Sequence, residues 1–132
     1  MSPELPHQTI VAIVDDDESI RYTTKDLLES AGFWVKTFVS AESLLHSGDL
    51  DRIDCVIADI RMPGMSGLEL HEQLRASSQP IPTILMTAYA DERVRAQAVK
   101  ARVVCCLVKP FAAEELLECL RTALRRHADG TH

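Results

Sequence analysis

The stretch IDCVIADIRMPGMSGLEL, residues 53–70, contains the strand, loop and helix start that decide the fold. Ile53–Ala58 is a nearly unbroken apolar run, which is typical of a strand covered on both faces in a parallel sheet. Ser66–Glu69 has the pattern of a capping box and predicts the start of a helix that continues through Leu70 and Leu74. A strand followed by a helix is the repeating unit of an α/β protein.

Four further apolar runs repeat this unit along the chain. They are Thr9–Val14, Trp34–Phe38, Pro82–Met86 and Val103–Val108. Residues 34–38 alternate in polarity and are expected near an edge of the sheet, whereas the other runs are expected to be covered on both faces. Strand–helix alternation repeated five times predicts a doubly wound five-stranded parallel sheet with five helices and right-handed crossovers.

The predicted helices differ in how firmly their apolar faces would hold them. The first is expected to end at Gly32, a typical C-terminal cap. The last, about residues 113–126, carries an inward stripe of large side chains, namely Leu116, Leu117, Leu120 and Leu124. The fourth, about residues 91–101, turns inward only Val94, Ala98 and Ala101, and outward Arg93, Arg95 and Lys100. We expect this weakly anchored helix to be among the more mobile elements.

Length and charge exclude several classes of protein. The 132 residues suit one domain, and a formal net charge of -6 argues against a general nucleic-acid binder. No apolar run approaches the roughly 20 residues of a membrane helix, and residues 1–8 lack the layout of a signal peptide. We therefore expect a cytoplasmic protein with a flexible N-terminus (1–8), one domain (9–127) and a short tail (128–132).

The four cysteines show no metal-binding or redox spacing. None forms a C-x-x-C pair, and no histidine lies at ligand spacing from them. Three of the four lie inside apolar runs, where a free cysteine behaves as a small hydrophobic side chain. The cysteines are Cys55, Cys105, Cys106 and Cys119.

Polar side chains gather directly after four of the five predicted strands. Asp15, Asp16 and Asp17 follow the first, Asp59 the third, Thr87 the fourth and Lys109 the fifth. The carboxyl ends of parallel strands share one edge, and ligands of open α/β sheets bind there. Asp17 is interpreted as the N-cap of the first helix. The end of the second strand, Val39 and Ser40, offers no obvious chemistry.

Three carboxylates in one place need a compensating charge. Two such charges about 4 Å apart repel by roughly 1 kcal/mol in water and about 4 kcal/mol at an effective dielectric constant of 20. Mg²⁺ prefers oxygen ligands and bridges carboxylates to phosphate, and Lys109 and Thr87 suit phosphoryl oxygens. A remaining carboxylate would then be a nucleophile that forms an aspartyl phosphate.

These motifs together resemble the response-regulator receiver family. The matching segments are Ile13–Asp16, Asp59 with Met62-Pro63 and Ser66-Gly67, Thr87-Ala88 and Lys109–Phe111, and the wording VDDDESIR and DIRMPGMSGLEL is most similar to the FixJ-like branch. The resemblance covers about residues 9–126. It implies a flavodoxin-like sheet with strand order 2-1-3-4-5.

The resemblance also implies a role for each site residue. Asp59 would be the phosphoacceptor. Asp16 would bind Mg²⁺ directly, Asp15 would act through a bound water, and the backbone carbonyl of Arg61 would complete the protein's share of the metal shell.

Further roles concern the phosphoryl group. Thr87 and Lys109 would hold its oxygens, and the family's usual cis peptide before the proline corresponds to Lys109–Pro110. Arg61 and Tyr89 flank the phosphorylation site, and we expect them to shield the acyl phosphate from water.

Two positions depart from the family pattern. Cys106 stands where the family usually has an aromatic side chain that turns inward on phosphorylation, so the switch is expected to use Thr87, Cys106 and, for part of the aromatic's role, Tyr89. Arg102 stands where a glycine is usual, so this turn either avoids a positive φ angle or accepts strain.

The resulting function is a signalling module rather than a metabolic enzyme. A sensor histidine kinase or phosphotransfer protein would donate the phosphoryl group. The surface of helix 4, strand 5 and helix 5 would change in response, and a homodimer would form through helices 4 and 5. The chain would stand alone or be the regulatory half of a FixJ-like transcription regulator, and is not expected to bind nucleic acid or membrane itself. Alternatives are a degenerate receiver that binds proteins without phosphorylation and a Mg²⁺-dependent phosphatase or nuclease.

Overall fold

Five parallel strands form the centre of the molecule. A computed structural model describes residues 9–88 and 92–128. Within these residues the strands are β1 (Ile10–Val14), β2 (Trp34–Phe38), β3 (Cys55–Asp59), β4 (Thr83–Thr87) and β5 (Cys105–Val108). Their order in the sheet is β2-β1-β3-β4-β5, as predicted. The edge position expected for residues 34–38 is confirmed.

Helices connect the strands and cover both faces of the sheet. In the described residues they are α1 (Glu18–Ser30), α2 (Ala41–Leu45), α3 (Gly67–Arg75), α4 (Glu92–Lys100) and α5 (Ala113–Ala128). The capping box predicted for α3 is present, with Ser66 and Glu69 each accepting from the other's backbone N–H. Asp17 caps α1, as expected. None of these helices is long and apolar enough to span a membrane.

Two buried clusters lie on opposite faces of the sheet, because successive strand side chains point to opposite sides. Val11 and Ile13 of β1 face α1 and α5, where they meet Leu28, Leu116 and Leu120. On the other face α2 and α3 contribute the apolar side chains Ala41, Leu44, Leu70 and Leu74, which pack with Ala12, Val14, Val56 and Leu85. This double coverage explains the nearly continuous apolarity of β1, β3 and β4.

β5 is less covered than its sequence suggested. The run at residues 103–108 was expected to be buried on both faces, but Cys105, Cys106 and Val108 are only partly buried. The reason is its position, since β5 is the other edge of the sheet and pairs with β4 alone.

Small side chains hold α4 to the core, as predicted. Ala98 is buried and Val94 partly buried, whereas Arg93, Arg95 and Lys100 are exposed. Val99 is 77% exposed, which leaves an apolar side chain on the outer face of the helix.

The end of α4 is a Schellman motif with arginine in the glycine position. Val103 N–H donates to Ala98 O at 3.1 Å, and Arg102 N–H donates to Val99 O at 3.0 Å. Arg102 has φ of 63°. Of the two outcomes predicted for this turn, the chain has therefore accepted a positive φ angle.

A buried histidine holds the same turn from the side of α3. The Nε2 atom of His71 lies 2.7 Å from the carbonyl oxygen of Ala101, and the residue is 4% exposed. His71 Nδ1 has no hydrogen-bond partner among the described residues. The contact supplies a partner for a carbonyl that the cap of α4 leaves without one.

Replacing Arg102 by glycine is expected to stabilise the protein by about 0.5–1 kcal/mol, because glycine adopts the left-handed conformation without the Cβ penalty. Urea unfolding followed by circular dichroism measures the change. Lys100→Gly, in the last turn of the same helix, is the control and should cost about 1 kcal/mol. An Arg102→Gly variant less stable than the wild type would show that the arginine side chain contributes more than its backbone strain costs.

Candidate functional site

The polar side chains predicted to converge do lie at one edge of the sheet. Asp59 and Thr87 are the last residues of β3 and β4, and Asp15 and Lys109 follow β1 and β5 directly. Because the four strands are parallel and adjacent, their carboxyl ends place these residues side by side.

Lys109 connects the strand ends to one another. Its Nζ atom lies 2.8 Å from Asp59 Oδ2 and 3.2 Å from Asp15 Oδ2. Its side chain is 17% exposed, so water screens these contacts only in part. Burial alone would lower the pKa of Lys109, but the hydrogen bond and charge of Asp59 and the charge of Asp15 outweigh burial and raise it.

Asp15 is the buried carboxylate of the site. It is fully inaccessible to solvent, and Asp17 N–H donates to its Oδ1 at 2.9 Å. Burial raises the pKa of Asp15, and the charge of Asp59 raises it further. The Asp17 N–H and Lys109 act in the opposite direction, yet the net pKa remains above its ordinary value. The raised pKa of Asp15 therefore reflects its burial, because the charge of Lys109 outweighs the repulsion from Asp59.

Asp16 completes an acidic triad. One carboxylate oxygen from each of Asp15, Asp16 and Asp59 lies within 4.8 Å of the others. Asp15 is buried, Asp59 half-buried and Asp16 exposed, so the triad opens toward solvent on one side. Such a group of oxygen ligands suits a hard divalent cation that keeps some of its water.

The loop after β3 is folded back against its own start. Arg61 N–H donates to Asp59 Oδ1 at 3.1 Å, and Gly67 N–H donates to Ile60 O at 3.0 Å. A Cβ atom at position 67 would collide with the carbonyl oxygen of Asp59. Glycine is therefore required where α3 begins, because any side chain would push the helix away from the carboxylate.

β4 and β5 close the other side of the site. Thr87 is 2% exposed, and its carbonyl oxygen accepts from Lys109 N–H at 2.8 Å. The Lys109–Pro110 peptide bond is cis, as the sequence resemblance implied.

The sequence matches the family described as the response regulator receiver domain over residues 11–121. The chain belongs to this family. Its receiver domain has the acidic triad, the threonine and the lysine on four adjacent strand ends.

Three known proteins illustrate the relationship. The transcriptional regulatory protein FixJ of Bradyrhizobium diazoefficiens is 34% identical over 116 residues, which are 88% of this chain and 57% of FixJ. The chemotaxis protein CheY4 of Vibrio cholerae has a TM-score of 0.81 and 31% identity, covering 89% of this chain and 100% of CheY4. The BeF₃-activated receiver domain of DrrB, a Thermotoga maritima protein, has a TM-score of 0.81 and 28% identity, with 91% and 100% covered.

The receiver domain spans about half the length of the curated relatives it matches, FixJ and the response regulator TodT of Pseudomonas putida among them.

The residues expected to form the switch are described only in part. Cys106 is half-buried and packs against the cluster on the α2–α3 face of the sheet. Burial raises the pKa of the Cys106 thiol. Tyr89 lies outside the described residues.

Two polar residues of the receiver domain were not recognised from the sequence. Arg21 Nη1 donates to the carbonyl oxygen of Asp15 at 2.9 Å and so holds the backbone at the end of β1. Glu42 Oε2 accepts from Met65 N–H at 2.9 Å. Glu42 lies just beyond Val39 and Ser40, in the first turn of α2. The available signal was the position of Glu42, in the first turn of a helix that begins at the same edge of the sheet.

Asp15→Asn is expected to stabilise the metal-free protein at pH 7. The folded state holds the Asp15 proton more tightly than the unfolded chain, so wild-type stability falls as the pH rises above the ordinary pKa of 3.8. Asparagine removes the buried charge but keeps an oxygen acceptor for Asp17 N–H. The variant's gain in urea midpoint should be present at pH 7 and shrink toward pH 4.

The control for this measurement is Asp26→Asn, an exposed carboxylate on α1, which should change stability by less than about 0.5 kcal/mol. All samples contain a chelator. A lower midpoint for Asp15→Asn at pH 7 would mean that Lys109 compensates the charge of Asp15 completely.

Proposed function

We propose that this receiver domain accepts a phosphoryl group on Asp59 from a histidine of a sensor kinase or phosphotransfer protein. The observation that carries the proposal is the contact of Lys109 with Asp59 beside two further carboxylates. In the transfer, an Asp59 carboxylate oxygen bonds to phosphorus while the bond from phosphorus to the histidine nitrogen breaks. The products are an aspartyl phosphate and the free imidazole.

Lys109 and Thr87 are proposed to hold the phosphoryl oxygens. Lys109 already contacts the carboxylate that would carry the group, and its raised pKa keeps it charged at neutral pH. Thr87 ends the neighbouring strand and is buried against the site. These two side chains would stabilise the charge that spreads over the phosphoryl oxygens during transfer.

The acidic triad fits Mg²⁺. Asp16, Asp59 and the carbonyl of Arg61 would hold the ion, with Asp15 acting through a water molecule. The observation in favour is the geometry of the triad: three carboxylate oxygens lie within 4.8 Å of one another, and one of them belongs to the fully buried Asp15. When bound, Mg²⁺ would neutralise the charge shared by the carboxylates and the phosphoryl group.

The response to phosphorylation is proposed to be a population shift in α4, β5 and α5. α4 is suited to it, because the helix is held mainly by small side chains. Thr87, Tyr89 and Cys106 would form the switch, with Cys106 in place of the usual aromatic. The same surface would support a homodimer.

The relatives support a proposal for the biological setting. FixJ is a transcriptional regulatory protein, and this domain covers 57% of it. We propose that the domain acts in the cytoplasm, alone or as the regulatory half of such a protein, and that DNA binding would belong to another domain. We propose that the receiver domain comprises residues 9–127.

Incubation with acetyl phosphate and Mg²⁺ is expected to add the mass of one phosphoryl group. Intact mass spectrometry should show this gain in the wild type and in Asp51→Asn, an exposed carboxylate away from the site. Asp59→Ala, and the wild type in a chelator, should show none. The relative DrrB has a BeF₃-activated form, so BeF₃⁻ binding is a second assay.

A wild type that folds but gains no mass would exclude the phosphoacceptor function and favour a degenerate receiver that binds proteins without phosphorylation. Steady release of phosphate from generic esters would instead favour a phosphatase.

Arg61→Ala is expected to shorten the life of the aspartyl phosphate, because the exposed Arg61 flanks the site and would shield it from water. The loss of phosphoryl mass with time, after acetyl phosphate is removed, measures this. Arg75→Ala, exposed at the far end of α3, is the control. An unchanged or slower loss in Arg61→Ala would contradict the shielding role.

A further inference from the structure

Glu42 joins two elements of the fold through a contact that has no part in the proposed phosphoryl transfer. It lies in the first turn of α2, and its Oε2 atom accepts from the backbone N–H of Met65 at 2.9 Å. The two residues are 23 positions apart in sequence, so the contact ties α2 to the loop between β3 and α3. The hydrogen bond from Met65 lowers the pKa of Glu42, which is therefore ionised at neutral pH.

The backbone of the loop is shaped to receive this carboxylate. Gly64 has φ of 80°, in the left-handed region that favours glycine. A Cβ atom at position 64 would lie 2.8 Å from Glu42 Oε2. Any other residue at position 64 would therefore be strained and would also press on the carboxylate. Met65, the next residue, is partly buried against the cluster that includes Leu44 of α2.

The same loop contains the proposed metal ligand. Its first residues are fixed by the Arg61 N–H to Asp59 Oδ1 hydrogen bond, and its last by the Gly67 N–H to Ile60 O hydrogen bond. Between these points, Glu42 holds the backbone of the loop at Met65. Arg61 and Met65 therefore belong to one short loop that is held at its start, its middle and its end.

We propose that Glu42 is a positioning residue for the divalent-cation site: its carboxylate holds the Gly64–Met65 turn so that the carbonyl of Arg61 faces the acidic triad. The inference rests on the proposed function. Glu42 does not touch the cation. It lowers the cost of ordering the loop, so the carbonyl is already in place when the ion arrives.

Three variants separate this contact from other effects. Glu42→Ala removes both the charge and the acceptor. Glu42→Gln removes the charge but keeps an oxygen that can accept from the Met65 N–H, so the contact is retained. Both variants lose the same negative charge at the start of α2, so a difference between them reports the contact alone. Ser43→Ala, an exposed neighbour on α2, is the control for the helix itself.

The first measurement is a titration of each metal-free protein with Mg²⁺ alone, in which amide chemical shifts in nuclear magnetic resonance report binding. Glu42→Ala is expected to bind Mg²⁺ roughly tenfold more weakly, the lower end for loss of an outer contact at a metal site. Glu42→Gln should stay within about threefold of the wild type, since a neutral acceptor gives a weaker hydrogen bond. Ser43→Ala should match the wild type.

The second measurement is hydrogen exchange of the Met65 amide without metal, which should be faster in Glu42→Ala than in Glu42→Gln. The third is the rate of phosphorylation by acetyl phosphate at increasing Mg²⁺. Glu42→Ala should need more Mg²⁺ for half its maximal rate but reach a near-wild-type rate at saturation. A general loss of folding would lower that maximum instead.

The outcomes distinguish the two proposals. A wild type that neither binds Mg²⁺ nor gains a phosphoryl group would overturn the proposed function. A wild type that does both, with Glu42→Ala equal to it in Mg²⁺ affinity, would overturn the positioning role alone. Equal weakening in Glu42→Ala and Glu42→Gln would also overturn it, because charge rather than the Met65 contact would then be responsible.

Discussion

The ion pairs of Lys109 with Asp15 and Asp59 are the interaction on which the site depends. They join the ends of three strands, and they are only partly exposed to water. The pairs outweigh the repulsion between Asp15 and Asp59, yet the pKa of Asp15 stays raised because its carboxylate is buried. A divalent cation at the triad would stabilise the charged form of the buried Asp15, because further positive charge lowers its energy. In the proposed function, stability of the metal-free fold and affinity for Mg²⁺ would thus be opposed at Asp15.

The parallel sheet makes this arrangement possible with few residues. Each of the four strand ends at the site contributes one or two side chains, and strand order alone brings residues from positions 15 to 109 together. The helices then fix the backbone that these side chains depend on. The Ser66 cap and the close approach of Gly67 to the Asp59 carbonyl set the start of α3 against the loop. Positioning of the carboxylate is therefore a property of the strand–loop–helix unit at residues 53–70.

Sequence patterns predicted the features that depend on residues close together in the chain. Apolar runs located the strands, Ser66 and Asp17 marked helix starts, and polar residues after strands marked the site, because each depends on neighbours in the chain. The Glu42–Met65 contact joins residues that are 23 positions apart in the sequence. It depends on the packing of α2 beside the loop, which no local sequence pattern predicts. The partial exposure of β5 was missed for a related reason. Its composition resembles that of a central strand, and only its place in the sheet leaves it uncovered.

The two sides of the site differ in how they are held. On the β3–α3 side, hydrogen bonds from Arg61, Met65 and Gly67 leave the loop little freedom. On the β4–β5 side, α4 rests on Ala98 and is followed by Arg102, whose positive φ angle costs energy. Rigid parts can keep a phosphoacceptor and its ligands in register, whereas a weakly held helix can change position for a few kilocalories per mole. In the proposed function, the β3–α3 loop would stay fixed during phosphoryl transfer, and α4 would be the element that responds to it.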